Sequence, residues 1–151
     1  MLRDMINDGL KDSMKSGDKI RLGTLRLINA AIKDRDIEAR GSGRQGGISD
    51  DEVLSLLQKM VKQRQESAGI YEQAGRMELA TQERDEIAVI QSFMPKPLTE
   101  DEARAAIKTA IAETGAESVR DMGRVIAALK ERHAGRMDFA KASGMVKEAL
   151  S

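Results

Sequence analysis

Apolar residues recur three and four positions apart along nearly the whole chain, the spacing of amphipathic helices. No stretch alternates with the period of two that a half-buried strand requires, and no repeat of fixed period is visible. Leu2, Met5, Ile6, Leu10 and Met14 form the first stripe, which should end at Ser16-Gly17, where glycine takes a left-handed cap. Asp18 is placed to cap a second helix from Lys19 to Ala39. Its apolar set, Leu22, Leu25, Leu27, Ile28, Ala31 and Ile32, covers most of the circumference and predicts a central, largely buried helix. One narrow stripe on it stays polar or small: Lys19, Gly23, Arg26, Ala30 and Lys33.

The glycines from Gly41 to Gly47 read as a flexible linker. Ser49 and Glu52 then have the spacing of a capping box, opening a third helix striped with Val53, Leu57, Met60, Val61, Ala68 and Tyr71. Gly75 separates it from a fourth, with Leu79, Ile87, Ile90 and Phe93. Thr99 and Glu102 form a second capping box ahead of a helix that stops at Gly115. Ser118 and Asp138 are placed to cap two more, one with Met122, Val125, Ile126 and Leu129, the other with Phe139, Ala142, Met145, Val146 and Leu150.

The only two prolines, Pro95 and Pro97, interrupt this series. Proline lacks the helical donor and pushes its predecessor out of the α region, so Met94 and Lys96 should be extended. The expected organisation is therefore all-α with two domains. Residues 1–94 form an N-terminal bundle of long helices, and residues 95–151 a small three-helix domain. Two helical modules joined by a rigid segment suit a protein that holds or presents something better than one that closes around a small substrate.

Charge adds direction to this picture. The chain has 25 basic and 25 acidic residues, so it is not a globally basic nucleic-acid binder. Between Arg120 and Lys147, however, seven basic residues face three acids. There is no cysteine, which removes disulfides and thiolate chemistry and fits a reducing cytoplasm. No secretory signal is visible at Met1-Leu2-Arg3-Asp4, and the longest apolar run, Val125 to Leu129, is far too short to span a bilayer. A membrane association is not expected.

Candidate chemistry is thin. His133 is the single histidine, so no histidine-based metal set can form, and it reads as a surface residue ending a helix. Neither a phosphate-binding glycine loop nor a dinucleotide fingerprint occurs, so no cofactor is expected. The acid runs Asp50-Asp51-Glu52 and Glu100-Asp101-Glu102 sit in first helical turns, where they favour the helix dipole without any catalytic role. Arg64 falls inside the apolar stripe of the third helix, so it needs a partner, with Glu38 or Glu83 as examples; the alternative is a ligand-facing arginine in a groove between helices. Lys19, Arg26 and Lys33 repeat every seven residues, with small Gly23 and Ala30 between them. Such a face accepts either a close helix neighbour or a phosphate backbone. Gly135-Arg136, just before the Asp138 cap, resembles a phosphate site at a helix N-terminus, although Asp138 would compete with the anion there. Only Tyr71, Phe93 and Phe139 are aromatic, so there is no platform for stacking unpaired bases, and any RNA should be read through its folded backbone.

Several blocks of the sequence resemble the YqeY-like proteins of the GatB/YqeY family. They are Asp18-Lys19-x-Arg21-Leu22-x-x-Leu25-Arg26, Val61-Lys62-Gln63-Arg64-x-Glu66-Ser67 and Tyr71-x-x-Ala74-Gly75-Arg76-x-Glu78-Leu79-Ala80. Further along come Glu86-Ile87-x-Val89, Gly115-Ala116-x-Ser118, Asp121-Met122-Gly123-x-Val125 and Gly135-Arg136-x-Asp138, followed by Val146-Lys147. The resemblance covers essentially the whole chain. It departs from the family at Met137 and at Ala134, where a lysine is frequent, and in a longer glycine loop.

The resemblance implies that residues 95–151 are similar to the tail domain of the B subunit of the glutamyl/aspartyl-tRNA amidotransferase, which contacts tRNA. The implied function is an accessory tRNA-binding protein that assists tRNA aminoacylation or transamidation, beside an aminoacyl-tRNA synthetase or an amidotransferase. Arg120, Arg124, Lys130, Arg132 and Arg136 are the expected phosphate contacts, and Arg26, Lys62 and Arg64 a secondary surface. Family labels also carry a carbon–nitrogen ligase activity with glutamine as amide donor. The large catalytic cradle of the amidotransferase has no counterpart in 151 residues, so the isolated chain is expected not to catalyse that reaction. The runner-up is a protein-interaction adaptor without RNA binding.

Overall fold

A computed structural model describes residues 1–151 as seven α-helices with no strand. In order they are α1 (Leu2–Ser16), α2 (Lys19–Gly41), α3 (Asp50–Gln73), α4 (Met77–Gln91), α5 (Glu100–Thr114), α6 (Met122–Arg132) and α7 (Phe139–Leu150). A single 3-10 turn, Val119–Asp121, leads into α6. The chain divides into two compact units, Met1–Met94 and Pro95–Ser151.

The helix boundaries follow local chemistry. The Asp18 carboxylate accepts the Arg21 N–H at the start of α2, and full capping boxes open α3 at Ser49 and α5 at Thr99. Asp138 accepts from Ala140 and Lys141 at the start of α7. α1 and α5 end on Gly17 and Gly115 in the left-handed region.

In the first unit, α2 lies against α1 and α4, and the long α3 pairs with α4. The core gathers Leu2 and Ile6 from α1, Leu25, Ile28 and Ile32 from α2, Val53, Leu57 and Met60 from α3, and Ile90 and Phe93 at the end of α4. Gly9 is placed where a side chain would press on the Phe93 ring, its built Cβ lying 3.0 Å from Phe93 Cζ. The glycine therefore sets how closely α1 approaches Phe93. Arg21 covers the same ring at 5.3 Å.

α2 runs to Gly41 and is not largely buried. Leu25, Ile28 and Ile32 face the core, but Ile20, Leu27 and Ile37 are exposed. Their apolar character spreads the pattern round the helix without a neighbour to cover it. The 41–47 segment is also tied down, in contrast to the linker expected. Gly47 is buried at φ 77, and a side chain there would collide with the Asp36 carboxylate. Asp36 in turn accepts the Ile48 N–H at 3.0 Å and both terminal nitrogens of Arg3 at 2.5 and 2.7 Å. Arg44 pairs with Glu52.

The second unit packs α5, α6 and α7 around Ile107, Ala110, Val125, Leu129, Met137, Ala142 and Val146. Residues 95–99 belong to no helix, as the prolines require, while Met94 closes a turn with its N–H on Gln91 O at 3.0 Å. The Leu98 N–H donates to Arg136 O at 2.9 Å, and Arg136 Nε donates to Lys96 O at 2.8 Å. The α6–α7 loop and the 96–98 segment are thus clasped by one residue.

Candidate nucleic-acid interface

The second unit contains the five basic residues expected to contact phosphate, and the structure gives them different surroundings. Arg124 leaves the first turn of α6 and donates to Asp121 Oδ1 at 2.8 Å and to the Thr114 carbonyl at 3.1 Å. Arg132, at the other end of α6, pairs with Glu113 of α5. These two arginines therefore line the α5 side of α6. Lys130 points the other way and lies over the Phe139 ring at 5.9 Å. Arg136 is committed to the clasp with Lys96. Arg120, in the 3-10 turn, is exposed and makes none of these contacts. Lys141 and Lys147 of α7 are exposed as well.

Two of the three acids of this region, Asp121 and Asp138, serve the fold, whereas Glu131 is exposed. The Asp121 carboxylate accepts the Glu117 N–H at 2.9 Å and the Ser118 N–H at 3.3 Å. Those bonds, with the Arg124 guanidinium second, hold its pKa below the usual carboxylate range. Ser118, expected to cap α6 directly, instead opens the 3-10 turn. Asp138 occupies the free N–H groups at the start of α7, so that helix end is satisfied from within. The Gly135-Arg136-x-Asp138 block is therefore a folding element: Gly135 sits at φ 75, Arg136 makes the clasp and Asp138 makes the cap. Beside it is a groove of about 220 Å3 floored by Pro97, Leu98, Ala103, Met137 and Met145, with Arg136 and Lys141 on its lining.

The secondary residues do not act alike. Arg26 and Lys62 are exposed, whereas Arg64 is 15% exposed and pairs with Glu86 of α4 at 3.1 Å. Arg64 also donates to the Met60 carbonyl at 3.2 Å. Its partner is neither Glu38 nor Glu83; Glu86 lies one helical turn beyond Glu83 near the same face, and only the register of α3 on α4 selects between them. Replacing Glu86 with alanine leaves the Arg64 charge partly buried and unpaired. A loss of roughly 2–3 kcal/mol is expected, somewhat below the usual cost of breaking a fully buried pair because both groups keep some water. Urea unfolding checks it; a loss under ~1 kcal/mol would mean the pair is solvated like a surface one.

His133 is half-buried, not a surface residue, and its Nδ1 is enclosed without a hydrogen-bond partner. No group of three or more His, Cys, Asp or Glu side chains converges as metal ligands would. No helix is long and apolar enough to cross a membrane.

Sequence reasoning missed Arg3 and Asp36, although a signal was present. Asp36 falls on the buried phase of α2, four residues after Ile32 and three before Ala39. An acid in that phase demands a partner, just as Arg64 did.

A protein of Schizosaccharomyces pombe without an assigned role is 30% identical over 95 residues, 63% of this chain and 73% of that protein. "Altered inheritance of mitochondria protein 41, mitochondrial" of Pyrenophora tritici-repentis is 30% identical over 128 residues, 82% of this chain and 68% of that protein. The family model described as "Yqey-like protein" matches residues 3–150. The chain belongs to the YqeY-like protein family.

Proposed function

We propose that the protein binds folded tRNA through the α6–α7 surface of its second unit, and assists an enzyme of tRNA aminoacylation or transamidation in a reducing compartment such as the cytoplasm. One observation carries the reading. Of the three acids here, Asp121 and Asp138 are engaged by backbone N–H groups, and Asp121 also by Arg124, so only Glu131 faces outward, while Arg120, Lys130, Lys141 and Lys147 stay exposed without a carboxylate partner. The local excess of positive charge is thus presented outward and not neutralised. Phe139 is packed on the core and covered by Lys130, and Phe93 is buried. That favours recognition of a phosphate backbone over stacking on unpaired bases.

Arg120 and Lys130 are the cleanest residues to test, because Arg124, Arg132 and Arg136 also hold the fold. The double reversal Arg120→Glu with Lys130→Glu should weaken binding of total tRNA about equally for all species. It should lower the slope of log K against log salt by about two. Filter binding at several salt concentrations measures both. Unchanged affinity and slope in the folded variant would remove this surface from consideration, and absence of salt-dependent binding by the wild type would leave the adaptor reading.

A further inference from the structure

We infer that the outward face of α2 is a docking surface for an acidic amphipathic helix from another protein. This goes beyond the tRNA reading, because it concerns the first unit and a protein partner. Ile20, Gly23, Leu27, Ala30, Asp34 and Ile37 fall within an arc of about 100° at 3.6 residues per turn, and all are exposed. Their spacing alternates three and four, the pattern of a coiled-coil seam. Ile20, Leu27 and Ile37 are 48%, 49% and 65% exposed, a strip of large apolar side chains that no other helix of the first unit covers. Gly23 and Ala30 between them let a second backbone come close.

The charges beside this seam identify the occupant. Lys19, Arg26, Lys33 and Arg40 follow one another at intervals of seven, and all four are exposed. None makes an ion pair within the protein, although Arg40 lowers the pKa of nearby Asp36 through space. At 1.5 Å rise per residue the row is about 30 Å long, with a charge every ~10 Å. A helix packed along the seam presents its own flanking residues at the same repeat, so acids there would meet each base in turn. Lys33, Ile37 and Arg40 also border a groove of 480 Å3 between α1 and α2, facing Arg3 and Asn7. The row drifts by about 20° per heptad towards that groove, so a partner following it winds in a left-handed sense.

Two other occupants fit less well. A second copy packed antiparallel on the same face would set four bases against four bases, and packed parallel would set them beside Thr24, Ala31 and Glu38, one acid for the whole row. A phosphate backbone would use the bases but leave Ile20, Leu27 and Ile37 without apolar contact.

The experiment uses the full chain as bait for a display library of helices about four heptads long. Their seam is apolar, and their flanking positions are randomised. Recovered helices should carry Asp or Glu seven residues apart along one flank. Their binding should fall at least tenfold in Leu27→Asp, in Ile37→Asp and in Lys33→Glu, with thermal melting showing each variant folded. Lysine placed opposite position 33 in the peptide should restore binding to Lys33→Glu. The inference is overturned by failure to recover any helix, by basic or uncharged flanks, or by binding that ignores the Leu27 and Ile37 variants. It is equally overturned by wild-type self-association that Leu27→Asp abolishes, or by total tRNA competing for this face with sensitivity to Lys33→Glu alone.

Discussion

Leu129→Ala should unfold the second unit and leave the first intact. Leu129 is fully buried among Ile107, Val125, Ala142 and Val146, and truncating such a leucine costs about 2–5 kcal/mol. The unit Pro95–Ser151 is small, and at 0.05–0.15 kcal/mol per residue its whole stability is on the order of 3–8 kcal/mol. A single cavity therefore consumes most of it. Hydrogen exchange should show the amides of α5, α6 and α7 losing protection while those of α1 to α4 keep theirs. Leu57→Ala, equally buried in the first core, should instead lower protection in α1 to α4 and spare α5 to α7, without unfolding the larger unit. Loss of protection throughout the chain in either variant would mean that the units unfold together and that residue 94 is not a folding boundary. The same pair of variants bears on function: tRNA binding should be lost with Leu129→Ala and survive Leu57→Ala.

Asp36→Ala costs roughly 3 kcal/mol or more in the first unit. The substitution strands the Arg3 guanidinium, which loses both of its Asp36 contacts, and removes the acceptor of the Ile48 N–H. Arg3 keeps only the Ile48 carbonyl at 2.9 Å. Acid titration reads the same network. The Arg3 hydrogen bonds, ahead of the Ile48 N–H, hold the Asp36 pKa down to about 2 from an unperturbed 3.8. A lowered folded pKa means that the ionised form favours folding. The contribution, about 2 kcal/mol, is complete above roughly pH 4 and is lost as pH falls towards 2. Urea midpoints between pH 6 and pH 2 should fall steeply for the wild type over that window and less steeply for Asp36→Asn. Glu52 also has its pKa lowered to about 2, by Arg44 first and the Ser49 N–H second, but it is 42% exposed and adds a smaller slope at the same pH. Parallel curves for wild type and Asp36→Asn would show that another carboxylate governs the acid limb.

The elements most legible in the sequence were those whose cause is local. Gly17, Asp18, Ser49, Thr99, Gly115 and Asp138 each mark a helix end through a hydrogen bond or backbone angle that spans a few residues. The prolines act on their immediate neighbours, and the all-α class follows from spacing alone. Arg64 was legible as a charge in need of a partner, because its phase on α3 is local. Which acid answers it was not, because Glu83 and Glu86 differ only in how far α4 has slid along α3. The glycine loop was misread for the same reason. Its composition says flexible, but Asp36, more than ten residues earlier, and Arg3, at the far end of the sequence, hold Gly47 and Ile48 in place.

The surface shows the same division. The seven-residue repeat of Lys19, Arg26 and Lys33 was visible in the chain, and so was the width of the apolar set on α2. A broad apolar set has two tertiary outcomes, burial on all sides or an uncovered strip, and helix periodicity is identical in both. Likewise the charge excess between Arg120 and Lys147 is a property of the sequence, but which cations remain outward depends on which are taken by Thr114, Glu113 and Lys96. The sequence by itself determined the helices, most of their ends, the helix-free proline segment and the family, because each is written in residues a few positions apart. Only the tertiary structure decided the partners of Arg3, Asp36 and Arg64 and the exposure of the α2 face, because these depend on distances between helices that no local preference encodes.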